Sequence, residues 1–179
     1  ASSLASRTTP MVEAIATGSA GRRPHKETRM NPAEKLCLVA SGLFLMTGLV
    51  TGTWKYLSIR ASPQHRAHRY VSVAHQASLA YAFACLVLAR LAAFSPYSDG
   101  FTLFAAACAI YHFAFAIVAY VIHGLARDTD NQFRPPFSLG PVPMPGWLVS
   151  ASMVTLVVSE FFGAGLLFWG FLQTQVFSA

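Results

Sequence analysis

The sequence predicts an all-α integral membrane protein, a four-helix bundle with both termini on the same side of the bilayer. Three observations carry that expectation. Of 179 residues, 54% are hydrophobic and 11% charged, where a soluble domain has about 25% charged. Four apolar runs, at 36–57, 71–94, 101–124 and 147–172, each exceed the roughly 18 residues that mark a membrane span, and each is too long for a signal-peptide core. The segments between them carry polar and turn-forming residues. An even number of spans returns the chain to its starting side, here side A, and places loops 58–70 and 126–146 on side B. The length suits one domain, divided into a basic polar extension, 1–29, and a spanning domain, 30–179.

The extension, ASSLASRTTPMVEAIATGSAGRRPHKETR, is rich in Ser, Thr, Ala and Arg and lacks an initiating Met. That composition suits an organellar targeting region or the remnant of one. It buries too little to order alone, so a partner is expected to hold it wherever it is ordered. Met30 then opens MNPAEKLCLVASG, which reads like the start of a bacterial membrane protein. Asn31 is expected to cap the first helix, with Pro32 at the first helical position and Glu34 at the third, as in a capping box. Gly48-x-x-x-Gly52, with Ser41 on the same side, permits close helix contact and is a dimerisation pattern that also arises by chance. Trp54, Lys55 and Tyr56 close the span as an aromatic and basic interface anchor.

The first side B loop holds Arg60, Arg66, Arg69, His65 and His68. Together with Trp54, Lys55 and Arg127 these are expected to meet lipid headgroups, including structural phospholipids such as cardiolipin. Two histidines three apart, without Cys or carboxylate, do not read as a metal site. In the second span the face through His75 runs Ser78, Ala82, Leu86, Ala89, Ala93, mostly small. Arg90 lies near the side A end and can snorkel outward. The breaker-rich turn SPYSDG is short, so the second and third spans form an antiparallel hairpin.

The third span carries His112 and His123, eleven residues apart. At about 100° per residue they share one helix face, which reads Ala105, Ala109, His112, Ala116, Ala119, His123. Lipid has no need of a stripe this small, so it should meet another helix or a bound group. The loop after it combines Arg127-Asp128-Thr129-Asp130-Asn131-Gln132 with five prolines, which predicts irregular, self-hydrogen-bonded chain. Asp128 and Asp130 are expected to pair with arginines of the other side B loop. The fourth span has a small face at Ser152, Ser159, Gly163 and Gly170, and it holds Glu160, the one acidic residue within a predicted span.

With the hairpin turn centred near Ser98, His75 lies 23 residues before it and His123 25 after. Two imidazoles at matched depth on neighbouring helices are how a b-type cytochrome holds haem. A chlorophyll on a single imidazole is a further alternative, and plain packing with no cofactor is the first reading. His112 and Glu160 both fall near the midplane, where an unpaired charge costs roughly 3 kcal/mol or more. They are expected to pair with each other or to contact another subunit, with proton-coupled transport as the alternative. Cys37, Cys85 and Cys108 show no CxxC spacing and read as packing residues rather than metal ligands or disulfides. The net charge of +6 lies beside the spans, where headgroups account for it, so no nucleic-acid partner is expected. Six basic residues on each side leave the positive-inside rule nothing to decide.

The segment from His123 to Gln132, together with Gly52-Thr53-Trp54-Lys55-Tyr56, resembles a group of small uncharacterised four-span proteins of proteobacterial inner membranes. The resemblance covers the chain from about Met30 and implies a four-helix membrane protein of bacterial ancestry, with no activity attached. Soluble-enzyme signatures such as GxSxG, the P-loop and HExxH are absent from the sequence. The functional expectation is therefore a non-catalytic accessory subunit of an organellar energy-transducing membrane complex, respiratory in preference to photosynthetic. Its expected partners are other subunits and membrane lipid.

Overall fold

The structure, a computed structural model, describes residues 30–177; the extension at 1–29, with the targeting role and the held tail expected of it, lies outside the described residues. The four predicted spans are four helices: α1 (Pro32–Ala61), α2 (Arg69–Ala93), α3 (Asp99–Ala126) and α4 (Gly146–Gln175). All four are long and apolar enough to cross a membrane. The α3–α4 loop, expected to be irregular throughout, contains a two-residue antiparallel ladder, β1 (Ser138–Leu139) with β2 (Val142–Pro143). Gly140 turns it with φ of 60°, a conformation glycine adopts without a Cβ penalty.

Helix starts follow the local chemistry. Asn31 Oδ1 accepts the Glu34 N–H at 2.8 Å, with Pro32 at the first helical position, so one orphan donor of the first turn is satisfied. Ser98 caps α3 in the same way, accepting from Phe101 N–H.

The two inner helices, α2 and α3, each touch all the others, whereas α1 and α4 do not meet. On α3 an alanine face makes the contacts: Ala105, Ala106, Ala109 and Ala116 are buried, and one-carbon side chains let neighbouring backbones approach. For helices in lipid such approach matters more than hydrophobicity, because lipid tails are as apolar as the core. The tightest point is Gly163 of α4, where a Cβ would collide with the Ala105 carbonyl oxygen. Gly170 is packed less tightly, a Cβ there lying 2.8 Å from Pro96 Cδ and 3.1 Å from Tyr97 Cε2. On α2 the buried surface is wider than the expected stripe: Ala74, Cys85, Leu88 and Ala92 join Ser78, Ala82 and Ala89 inside, while Leu86 and Ala93 are exposed. One stripe cannot serve a helix that packs against both α1 and α3.

Among the described residues, five side chains fasten the bundle by donating across it to backbone carbonyls. Asn31 Nδ2 donates to Ala92 O at 2.9 Å, Ser41 Oγ to Ala82 O at 2.8 Å, and His75 Nδ1 to Gly48 O at 2.8 Å. Ser159 Oγ donates to Cys108 O and Thr174 Oγ1 to Phe94 O, both at 2.9 Å. Bonds of this kind within membrane bundles contribute about 0.6 kcal/mol each on average. Through these contacts Asn31 and Thr174 lie at the same end of the bundle. Cys37 and Cys85 are buried free thiols, as expected of packing residues, and Cys108 is a free thiol partly covered.

The Gly48-x-x-x-Gly52 pattern is used within the chain. A Cβ on Gly48 would strike the Leu79 side chain, and one on Gly52 would lie 2.8 Å from His75 Cε1. The two glycines make room for α2, so this face of α1 is not left open for a second copy.

A bulky residue at Gly163 must push α4 off α3. Gly163→Leu is expected to lower stability by about 1–3 kcal/mol, read as reversible unfolding in mixed micelles. Gly165→Ala, where an added Cβ meets nothing within 4 Å, should stay within about 0.5 kcal/mol of the parent or gain from helix propensity. Equal losses in the two variants would contradict this packing.

Candidate functional site

The site is built where α3 ends. Arg127 takes the left-handed conformation, φ 51° and ψ 33°, while its N–H still bonds the His123 carbonyl at 2.9 Å. That reversal turns Asp128 back onto the helix it has just left. His123 Nδ1 donates to the Asp128 carboxylate, at 2.9 Å to Oδ1 and 3.1 Å to Oδ2. Asp128 Oδ2 also accepts the Gly140 N–H at 2.8 Å and the Ser138 hydroxyl at 3.3 Å. One carboxylate thus joins α3 to the β1–β2 turn. Burial pushes the Asp128 carboxyl upward, but the hydrogen bond and charge of His123 and the Gly140 N–H outweigh it, so it sits below the ordinary carboxylate value.

Aromatic rings close over the dyad. The Tyr70 ring lies 4.8 Å from the His123 ring and stacks 5.9 Å from that of Tyr120, and the Tyr70 hydroxyl accepts the Gln132 N–H at 2.6 Å. His123 is 3% exposed. On its open side it lines a cavity of about 300 Å³ between α3, α4 and the loop, shared with Tyr81, Tyr120, Ala116, Ala119 and Ser152. With Nδ1–H committed to a carboxylate, Nε2 is the available lone pair. The same outer-partner arrangement orients imidazoles that act as bases or ligands.

The other residues expected to carry chemistry are distributed differently. His75 is pressed into the α1–α2 seam by Gly48 and Gly52, while His123 sits level with Tyr70 and Val71, against which Gly124 also packs. The two imidazoles therefore occupy different helix seams, about one α2 turn apart, and His75 does not line the cavity that His123 lines. A haem held by both would need the two rings to face one slot. Of the pair, His123 has the open side.

His112 and Glu160 do not pair. His112 donates Nδ1–H to Cys108 O at 3.2 Å, the carbonyl that also accepts Ser159. Glu160 lies within electrostatic reach of His112, Tyr81 and Tyr120, yet its Oε1 is buried with no hydrogen-bond partner among the described residues. The helix backbone offers His112 a nearer acceptor, one turn back, than the neighbouring helix does. Arg90 is exposed and places its guanidinium 4.9 Å from the Phe94 ring centre at the α2 terminus.

The acidic residues of the α3–α4 loop find histidines rather than arginines. Asp128 takes His123, and Asp130 lies 3.5 Å from His68 Nε2. Arg66 and Arg127 instead flank a hollow of about 580 Å³ at the end of the α1–α2 hairpin, with His68 beside them. Arg60 folds onto Tyr56, bonding its hydroxyl at 3.3 Å. Arg69, at the first position of α2, is exposed, and Lys55 is half-buried. Trp54 turns partly inward, its ring against Gly124. Sequence reasoning missed Tyr70, Tyr81 and Tyr120 as companions of His123. Their helical spacing offered a signal: Tyr70 and Tyr81 are eleven residues, about three turns, apart on α2, and Tyr120 lies three residues before His123.

Because the Asp128 carboxyl is lowered in the fold, its stabilising contribution is complete above the ordinary carboxylate value of about 3.9 and is lost as pH falls through the lowered value. Asp128→Asn should therefore cost about 1–3 kcal/mol near neutrality, and the gap to the parent should close below about pH 4, measured as thermal unfolding in detergent across pH. A gap that stays constant into acid would remove the carboxylate from this role. Comparison of the chain with protein-family models, with curated proteins and with solved structures finds no match.

Proposed function

We propose that the chain is a multi-pass membrane protein serving as an accessory, non-catalytic subunit of an organellar energy-transducing complex, in the mitochondrial inner membrane in preference to the thylakoid. The observation that carries this reading is the incomplete cover of α4. Of its 30 residues only Gly163, Leu167 and Gly170 are buried, and it has no contact with α1. Lipid covers Val154, Val158 and Phe161 as well as a protein would. It does not supply a partner for Glu160, a half-buried carboxylate near mid-span on that helix. A neighbouring transmembrane subunit packed along α3 and α4 supplies both cover and polar contact. The Ser-, Thr- and Arg-rich composition of 1–29 supports an organelle, and the bacterial character of the chain from Met30 is in keeping with one.

The Arg66–Arg127 hollow supports the lipid part of the reading. Two guanidinium groups from different loops, neither in an ion pair among the described residues, face an opening of headgroup size.

Affinity purification in mild detergent, with identification of co-migrating chains on a native gel, is expected to recover a larger assembly. A free monomer would overturn the subunit reading. The double variant Arg66→Gln/Arg127→Gln should lose about 1 kcal/mol of anionic-lipid affinity per arginine. Mass spectrometry of co-purified phospholipid would then show depletion on the order of tenfold, and unchanged lipid content would exclude the hollow as a headgroup site.

A further inference from the structure

The cavity beside His123 is lined by α2, α3, α4 and the α3–α4 loop, and what it holds is a separate question from the subunit reading. Its volume, about 300 Å³, is at the lower end for small-molecule sites and suits one substituted ring. The space exists because α3 presents Ala116 and Ala119 there. Phe115, Met153 and Leu156 supply carbon walls, and the phenols of Tyr81 and Tyr120 supply polar points within them.

The decisive group is the imidazole. His123 is almost fully buried, its Nδ1 proton goes to Asp128, and its Nε2 bonds no described residue. With Nδ1 engaged, Nε2 is the ring's remaining polar atom, and a ligand hydroxyl gives it a donor. The occupant must therefore be flat and largely apolar, and it must carry at least one O–H. An acyl chain has no donor. A sugar or nucleotide carries more polar groups than these carbon walls can satisfy. A metal ion has no ligand set to occupy, since no three of His, Cys, Asp and Glu cluster among the described residues.

We propose that this cavity binds the ring of a benzoquinol-class molecule, with a ring hydroxyl donating to His123 Nε2 and the second ring oxygen accepting from Tyr81 or Tyr120. The Asp128 carboxylate acts through His123 by fixing its tautomer, and is a positioning residue. The oxidised quinone has no O–H for Nε2 and keeps only the phenol contacts. It therefore binds about tenfold more weakly.

The test uses the full chain in lipid nanodiscs with decylubiquinol, kept anaerobic, and decylubiquinone as probes, followed by quenching of intrinsic fluorescence. Saturable one-site binding is expected, with quinol preferred. His123→Leu should weaken quinol binding about tenfold and abolish the preference for quinol over quinone. Ala119→Leu, which fills the cavity without touching the dyad, should weaken both forms, and thermal unfolding checks that each variant is folded. Should His123→Leu fail to fold, Ala119→Leu and the quinol-to-quinone ratio of the parent decide the matter. Non-saturable partition into the disc, or equal binding by parent and Ala119→Leu, overturns the proposal. So does a stoichiometric haemin Soret band that quinol does not displace, which would assign His123 to axial ligation instead.

Discussion

The bundle depends on how closely backbones approach across the alanine face of α3. For helices that cross a membrane, lipid removes the usual reason for apolar helices to associate, leaving dispersion and hydrogen bonding as the attractions. Both fall steeply with distance. Ala105, Ala106 and Ala109 bring the neighbouring backbones near enough for those forces to act, and Gly163 on α4 completes the contact. Because α3 reaches all three other helices, larger side chains on this face would loosen its seams with α1, α2 and α4 together rather than one.

The same face changes character along its length. Toward the start of α3 it is filled by backbone contact. Further along, Ala116 and Ala119 line a cavity shared with α4 and the loop. The loop then covers the opening, held by the Asp128 carboxylate that links His123 to Gly140 and Ser138. Fold and site therefore share one residue: the carboxylate that orients the imidazole also anchors the turn over it.

The helices were legible because apolar runs of spanning length have few alternatives, and the Asn31–Pro32–Glu34 start was legible because capping is local. The small faces of α3 and α4 were legible for the same reason that periodicity is. What the sequence left hidden depends on three-dimensional choices among nearby partners. Asp128 was assigned to arginines on charge alone, yet the left-handed turn at Arg127 brings it within reach of His123 first. His75 and His123 were placed at one depth by counting from the hairpin turn. Depth says nothing of azimuth, and they face different seams. His112 was matched to Glu160 across helices, but the Cys108 carbonyl one turn back was closer. The β1–β2 ladder, two residues per strand, is too short to leave a periodic signal.

The five bonds that fasten the helices to one another share a grammar: a side chain gives and a main-chain carbonyl receives. Every residue type carries that carbonyl, so only the giving helix records the contact in its sequence. Drift at Gly48, Ala82, Ala92, Phe94 or Cys108 is answerable to packing alone, while Asn31, Ser41, His75, Ser159 and Thr174 are answerable to hydrogen bonding as well. Evolution can thus rewrite one side of each seam freely in chemical terms. Correlated substitution between the two helices, the usual trace of a contact, has nothing to correlate at these five points.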